Sequence, residues 1–175
     1  AFLLFDCDRF KTINDTYGHA KGDRVLTIIA DALVMALRAN DRLYRLGGDE
    51  FATFLSRTTP TQAKQIAQRC QSLTEAADFG NLGIVEPVGI SIGIAFCGPG
   101  QLQEIEELPK QADIAMYTAK QPGHNRIALY GEDTERASQT LVASRETSAL
   151  FQALTTPGML EMHYQAVHGL PGRQI

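Results

Sequence analysis

The stretch Arg45-Leu46-Gly47-Gly48-Asp49-Glu50-Phe51 decides how this chain folds. Apolar-alternating runs flank it, residues 41–46 before and 51–55 after. A Gly-Gly pair between two such runs predicts a β-hairpin, because glycine reaches positive φ without steric cost. A solvated turn needs only Gly, Asn or Asp, yet here two acids directly follow the two glycines. Glycines let a phosphate approach the backbone, and adjacent carboxylates suit Mg²⁺, a hard cation that prefers oxygen ligands. Taken alone, the stretch also reads as a tight turn with solvated acids. The rest of the chain has to decide between the two.

Upstream, residues 1–5 form a continuous apolar run and read as a buried strand, with Asp6 and Asp8 at its end. Ligands of sheet proteins gather at strand ends, so this Asp-x-Asp reads as a metal clamp, as a cap of the following helix, or as one acid in each role. Residues 9–17 read as a short helix carrying Asn14, and residues 18–23 as a loop that places Asp23 at the start of the next helix. Residues 24–39 give the clearest helical pattern, with Val25, Leu26, Ile29, Leu33 and Leu37 on one face. Arg38 and Asp41 follow at its end, where a cation compensates the helix dipole.

Downstream, residues 61–77 predict a second amphipathic helix, with Pro60 near its first turn. Val88, Ile90, Ile92, Ile94 and Phe96 alternate with small or polar residues and predict a strand. Residues 108–119 predict a third helix whose Ala-rich side suits close packing on a sheet. The turn after it delivers Lys120 and His124 to one end, and residues 126–130 read as a last strand. Strands and helices are mixed, with a hairpin at the centre, a pattern that does not by itself select a fold.

The chain has 175 residues, 44% hydrophobic and 21% charged, values of a globular protein. A net charge of −4 implies no broad basic surface, so no polymeric nucleic acid is expected as a partner. The three cysteines, Cys7, Cys70 and Cys97, are scattered and predict reduced thiols in a cytoplasmic setting rather than a zinc site. The sequence opens mid-strand without an initiator Met and ends in strand-like sequence. We read it as a piece of a longer protein whose sensor or membrane segments lie elsewhere.

Five ordered blocks, DCDRFKTIND, GHAKGD, RLGGDEF, SIGIAF and MYTAKQPGHN, together resemble the GGDEF family of diguanylate cyclases over residues 1 to about 131. The resemblance implies an α+β fold, an α/β sandwich: a central, mostly antiparallel sheet flanked by helices, related to the palm of adenylyl cyclases and polymerases. It implies condensation of two GTP into cyclic di-GMP and pyrophosphate, with Mg²⁺ or Mn²⁺, by a homodimer with facing active sites. Carried over, Asp6, Asp49 and Glu50 are metal-ligating carboxylates, with the Cys7 carbonyl as a further ligand and Glu50 as the central acid. Gly47 and Gly48 lie under the phosphates, Asn14 and Asp23 read guanine, and Lys120 contacts the triphosphate. Asn14 also reads as ordinary helix surface, and Asp23 as an N-cap.

His124 stands where the family usually has an arginine on the terminal phosphates. Histidine is shorter and mostly neutral at pH 7, its unperturbed pKa being about 6.5. This predicts a weaker grip on GTP that improves as pH falls toward 6. Arg38 and Asp41 match the family's Arg-x-x-Asp site for inhibition by cyclic di-GMP, with Arg69 as a second arginine. Residues 1–131 are then a GGDEF domain lacking its first helix, and residues 132–155 a linking helix. Residues 156–175 resemble the opening of an EAL-type cyclic di-GMP phosphodiesterase. The alternative is a GTP- or cyclic di-GMP-sensing domain that regulates an attached phosphodiesterase. A structural domain of ferredoxin-like fold is a third, remote reading.

Overall fold

The computed structural model describes residues 1–98, 102–121, 123–131 and 134. Apart from residue 134, the proposed linking helix and EAL-like segment lie outside the described residues. Among the described residues five strands form one sheet: β1 (Phe2–Cys7), β2 (Leu43–Gly47), β3 (Glu50–Phe54), β4 (Ile90–Ala95) and β5 (Ile127–Leu129), in the order β2-β3-β1-β4-β5. β1 pairs antiparallel with both β3 and β4, β2 pairs antiparallel with β3, and β4 pairs parallel with β5. The sheet is therefore mixed but mostly antiparallel. The parallel pair needs a crossover, which the helix between β4 and β5 supplies.

Among the described residues four α-helices flank the sheet: α1 (Phe10–Tyr17), α2 (His19–Ala36), α3 (Pro60–Glu75) and α4 (Leu108–Lys120). Side chains of β1 alternate between two faces. Leu3, Phe5 and Cys7 enter the larger core, with Ile13 of α1, Val25, Ile29 and Leu33 of α2, and Ala63 and Ile66 of α3. Phe2 and Leu4 point the other way, against Ala112 and Met116 of α4. The Ala-rich side of α4 lies close on β4. A Cβ at Gly93 would fall 2.0 Å from the Ala112 carbonyl oxygen, so only glycine permits this approach. On β1 the α4-facing series continues from Phe2 and Leu4 to Asp6, and this parity places the acid at the sheet end near the close of α4.

Several boundaries differ from those read in the sequence. β1 runs on through Asp6 and Cys7, because β3 pairs with it as far as Asp6 and β4 as far as Cys7. The expected loop at 18–23 shrinks to Gly18, whose φ of 85° separates α1 from α2. α2 starts at His19, so Asp23 lies in its second turn and is not an N-cap. α2 also stops at Ala36, leaving Arg38 and Asp41 in the connection to β2. α3 starts at a capping box in which Thr59 and Gln62 exchange side-chain and backbone hydrogen bonds, an arrangement worth about 1 kcal/mol. No helix among the described residues is long and apolar enough to cross a membrane.

Candidate active site

The β2–β3 hairpin and the end of β1 build one acidic edge. Gly48 turns the chain at φ 50°, a left-handed conformation that glycine adopts without strain. The pairing shifts between Arg45 and Gly47, leaving Gly47 opposite Glu50. The Arg45 guanidinium holds the turn from below, donating to the Gly48 carbonyl from Nε at 3.1 Å and Nη2 at 2.7 Å. Glu50 is the direct register partner of Asp6, so the two carboxylates share the α4-side face of the sheet. Asp49 joins them through its carbonyl, which accepts from the Cys7 amide at 3.3 Å.

Lys120, the last residue of α4, reaches over this edge and places Nζ 2.6 Å from Asp6 Oδ1. Burial pushes the Asp6 carboxyl above its ordinary pKa. The hydrogen bond and charge of Lys120 pull it back, and the Asp49 and Asp8 carboxylates push it further up. The Cys7 thiol is buried in the larger core, where burial raises its pKa strongly. Only its backbone carbonyl remains as a candidate ligand.

Among the described residues no three His, Cys, Asp or Glu side chains form a ready-made metal cluster. The donor chemistry nevertheless fits a hard divalent cation. It consists of carboxylate oxygens with a carbonyl beside them, and a lysine ammonium already rests on Asp6 where positive charge is favoured. A bound ion would share Asp6 with Lys120 or displace the lysine from it.

Asn14 and Asp23 lie on neighbouring helices. Asn14 rests against Gly22, where a Cβ would fall 1.9 Å from its Oδ1. That Oδ1 is buried without a hydrogen-bond partner among the described residues, so Asn14 is not ordinary helix surface. Asp23 is exposed one residue after Gly22.

The acid of Asp-x-Asp that sequence reasoning left open has a different task. Asp8 caps no helix, since the N-cap of α1 is Arg9 and no side chain bonds there. Its carboxylate instead accepts from Ser91 Oγ at 2.7 Å and from the Asn125 amide at 2.6 Å, and lies 3.3 Å from His124 Nδ1. Ser91, Asn125 and Arg45 escaped the sequence reading. An Asn after Gly-His in a turn is the one available signal, because Asn tolerates positive φ, and Asn125 has φ 59°.

Arg38, Asp41 and Arg69 gather at a separate corner. The Arg38 amide donates to Asp41 Oδ2 at 3.2 Å and the Asp41 amide to the Arg38 carbonyl at 2.9 Å, closing a tight turn. Arg69 Nε donates to the Ala36 carbonyl at 2.7 Å, and Nη2 bonds the same oxygen. The cation that satisfies the end of α2 thus comes from α3, and Arg38 does not supply it.

Comparison with known proteins decides the family. The model of the diguanylate cyclase GGDEF domain matches residues 1–126. This chain belongs to the GGDEF family. The domain is 38% identical over 146 residues to the probable diguanylate cyclase DgcE of Escherichia coli, across 81% of this chain and 13% of that protein. It is 32% identical over 170 residues to the cyclic di-GMP phosphodiesterase PdeB of Shewanella oneidensis, across 97% of this chain and 20% of that protein. The chain therefore spans a small part of either relative. Among solved structures, the GGDEF domain of PA1120 (YfiN or TpbB) from Pseudomonas aeruginosa superposes with a TM-score of 0.65 at 35% identity, covering 74% of this chain and 80% of that one. The five-stranded sheet with flanking helices is thus the GGDEF fold, as the sequence resemblance implied.

Proposed function

We propose that this GGDEF domain is a diguanylate cyclase, joining two GTP into cyclic di-GMP with release of pyrophosphate. The observation that carries the reading is the pairing of Asp6 with Glu50 on one face of the sheet, with Lys120 laid on Asp6. In the reaction, the 3′-hydroxyl of one GTP attacks the α-phosphate of the other, forming a P–O bond as the bond to pyrophosphate breaks. Such a transfer depends on positioning and on neutralising charge. Asp6, Asp49 and Glu50, with the Cys7 carbonyl, would hold Mg²⁺ or Mn²⁺. A divalent cation there supplies Lewis-acid activation of the hydroxyl and stabilises the leaving oxygen. Glu50 is placed to accept the hydroxyl proton. Lys120 steadies the triphosphate, and Gly47 and Gly48 give it room beside the backbone. Asn14 Oδ1 and the Asp23 carboxylate accept from guanine N1–H and N2–H₂.

One domain holds one GTP, so the reaction needs two domains face to face, and the working form is a homodimer. Cyclic di-GMP at Arg38, Asp41 and Arg69 inhibits it. A second reading has its own support. His124 stands in place of an arginine, and the chain is alike over almost its whole length to a protein named as a phosphodiesterase. On that reading the domain binds GTP and regulates an attached phosphodiesterase without making product.

The test is incubation with GTP and Mg²⁺, followed by chromatography for cyclic di-GMP, with Glu50→Gln as control. Product that disappears in the control is the expected result. GTP binding without product selects the second reading.

A further inference from the structure

The connection between α4 and β5 follows Lys120 and carries His124 and Asn125. Polar contacts hold these two residues to the sheet and to α3. Asp8, 6% exposed, accepts the Asn125 amide at 2.6 Å through Oδ2, while Oδ1 accepts Ser91 Oγ at 2.7 Å and faces His124 Nδ1 at 3.3 Å. Both carboxylate oxygens are thereby engaged by the protein, so Asp8 is poorly disposed to serve as a metal ligand beside Asp6. From the other side α3 grips the same residue. Gln71 Nε2 donates to the Asn125 carbonyl at 2.6 Å and to its Oδ1 at 2.9 Å, and Asn125 Nδ2 donates to Glu75. Backbone amide, backbone carbonyl and side-chain amide of Asn125 are all used, at a φ of 59° that most residues adopt only with strain.

The geometry points to Asp8 and Asn125 as positioning residues that latch the α4–β5 loop to the acidic edge and so set where Lys120 and His124 meet the triphosphate. This rests on the reading of Lys120 and His124 as nucleotide contacts. The latch bonds neither the reacting atoms nor Asp6, Asp49 or Glu50, and the Asp8 charge reaches Asp6 only through space, so its loss weakens the hold on GTP more than the chemical step.

The experiment compares wild type, Asp8→Ala, Asp8→Asn and Asn125→Gly in the full chain, by amide hydrogen exchange, GTP titration calorimetry and turnover kinetics. Asp8→Ala should speed exchange at residues 124–126 at least tenfold, leave the amides of β1 and β4 protected, and raise KM and Kd for GTP at least fivefold with kcat within threefold. Asp8→Asn keeps one acceptor oxygen, and Asn125→Gly keeps the backbone conformation. Both should shift the same quantities less, and they carry the test where Asp8→Ala does not fold. Unchanged exchange at 124–126, freed exchange with unmoved affinity, or a collapse of kcat at constant KM would overturn the proposal. Wild type that binds GTP but makes no product overturns the cyclase reading alone, and the latch is then judged on Kd. Wild type without GTP affinity overturns both.

Discussion

The acidic edge and the Arg38–Asp41 corner handle charge in opposite ways. At the edge, Glu50 pairs in register with Asp6, the Asp49 charge acts on Asp6, one ammonium rests on Asp6, and burial raises the Asp6 carboxyl further. At the corner, Asp41 closes a turn on the Arg38 amide, and Arg69 is held on the end of α2. One region keeps charges poorly matched within the fold, which is the condition for binding an outside cation. The other uses the Asp41 carboxylate and the Arg69 guanidinium to hold backbone, so a ligand there meets two groups already engaged. The difference teaches that acids gathered by strand register are a stronger pointer to chemistry than an Arg-x-x-Asp spacing is.

The largest expected effect sharpens this contrast. Glu50→Gln or Asp49→Asn should lower initial turnover about a hundredfold to a thousandfold, because charge at the reacting centre is lost. Arg38→Ala should leave the initial rate within about twofold. Equal losses from both regions would erase the distinction. Next, Arg38→Ala should weaken cyclic di-GMP binding at least about tenfold by titration calorimetry, equivalent to about 1.4 kcal/mol. Undiminished binding rejects the corner as the inhibitory site. Arg69→Ala should cost about 1 kcal/mol in denaturant unfolding, through the lost bonds to Ala36. An unchanged midpoint would mean that the end of α2 finds another partner.

The smallest effect carries the sign of the strain at the edge. The folded pKa of Asp6 is raised above its ordinary 3.8, so its charged form is disfavoured by folding. The resulting cost is fully present above the raised folded pKa and fades as pH falls toward 3.8. Without metal, Asp6→Asn should therefore melt at or above the wild-type temperature near pH 7, and the gap should narrow in acid. A clear drop in Tm would show Asp6 to be a structural partner of Lys120.

The hairpin and the helices were legible because period and turn chemistry are local, whereas the fold that assembles them came from the family resemblance. The Gly-Gly turn, the alternation from Val88 to Phe96 and the Ala-rich side of α4 all depend on neighbours in sequence. What the sequence hid depends on distant partners. Asp23 looked like an N-cap because nothing local shows that Gly18 alone separates two helices. Asp8 looked like a clamp or a cap because its partners lie 83 and 117 residues away. Arg69 looked like a ligand arginine, and only packing of α3 on α2 sets it against Ala36. The roles of the acids came from resemblance. Their spacing alone favoured a solvated turn, and the register of Asp6 with Glu50 is a fact of the sheet.

The most direct test is to add Mn²⁺ and GTP to the isotopically labelled chain and follow amide resonances by NMR. The account requires paramagnetic broadening to strike residues 6–8 and 48–50 first and to spare 38–41. Broadening centred elsewhere, or none at the paired ends of β1 and β3, would contradict it.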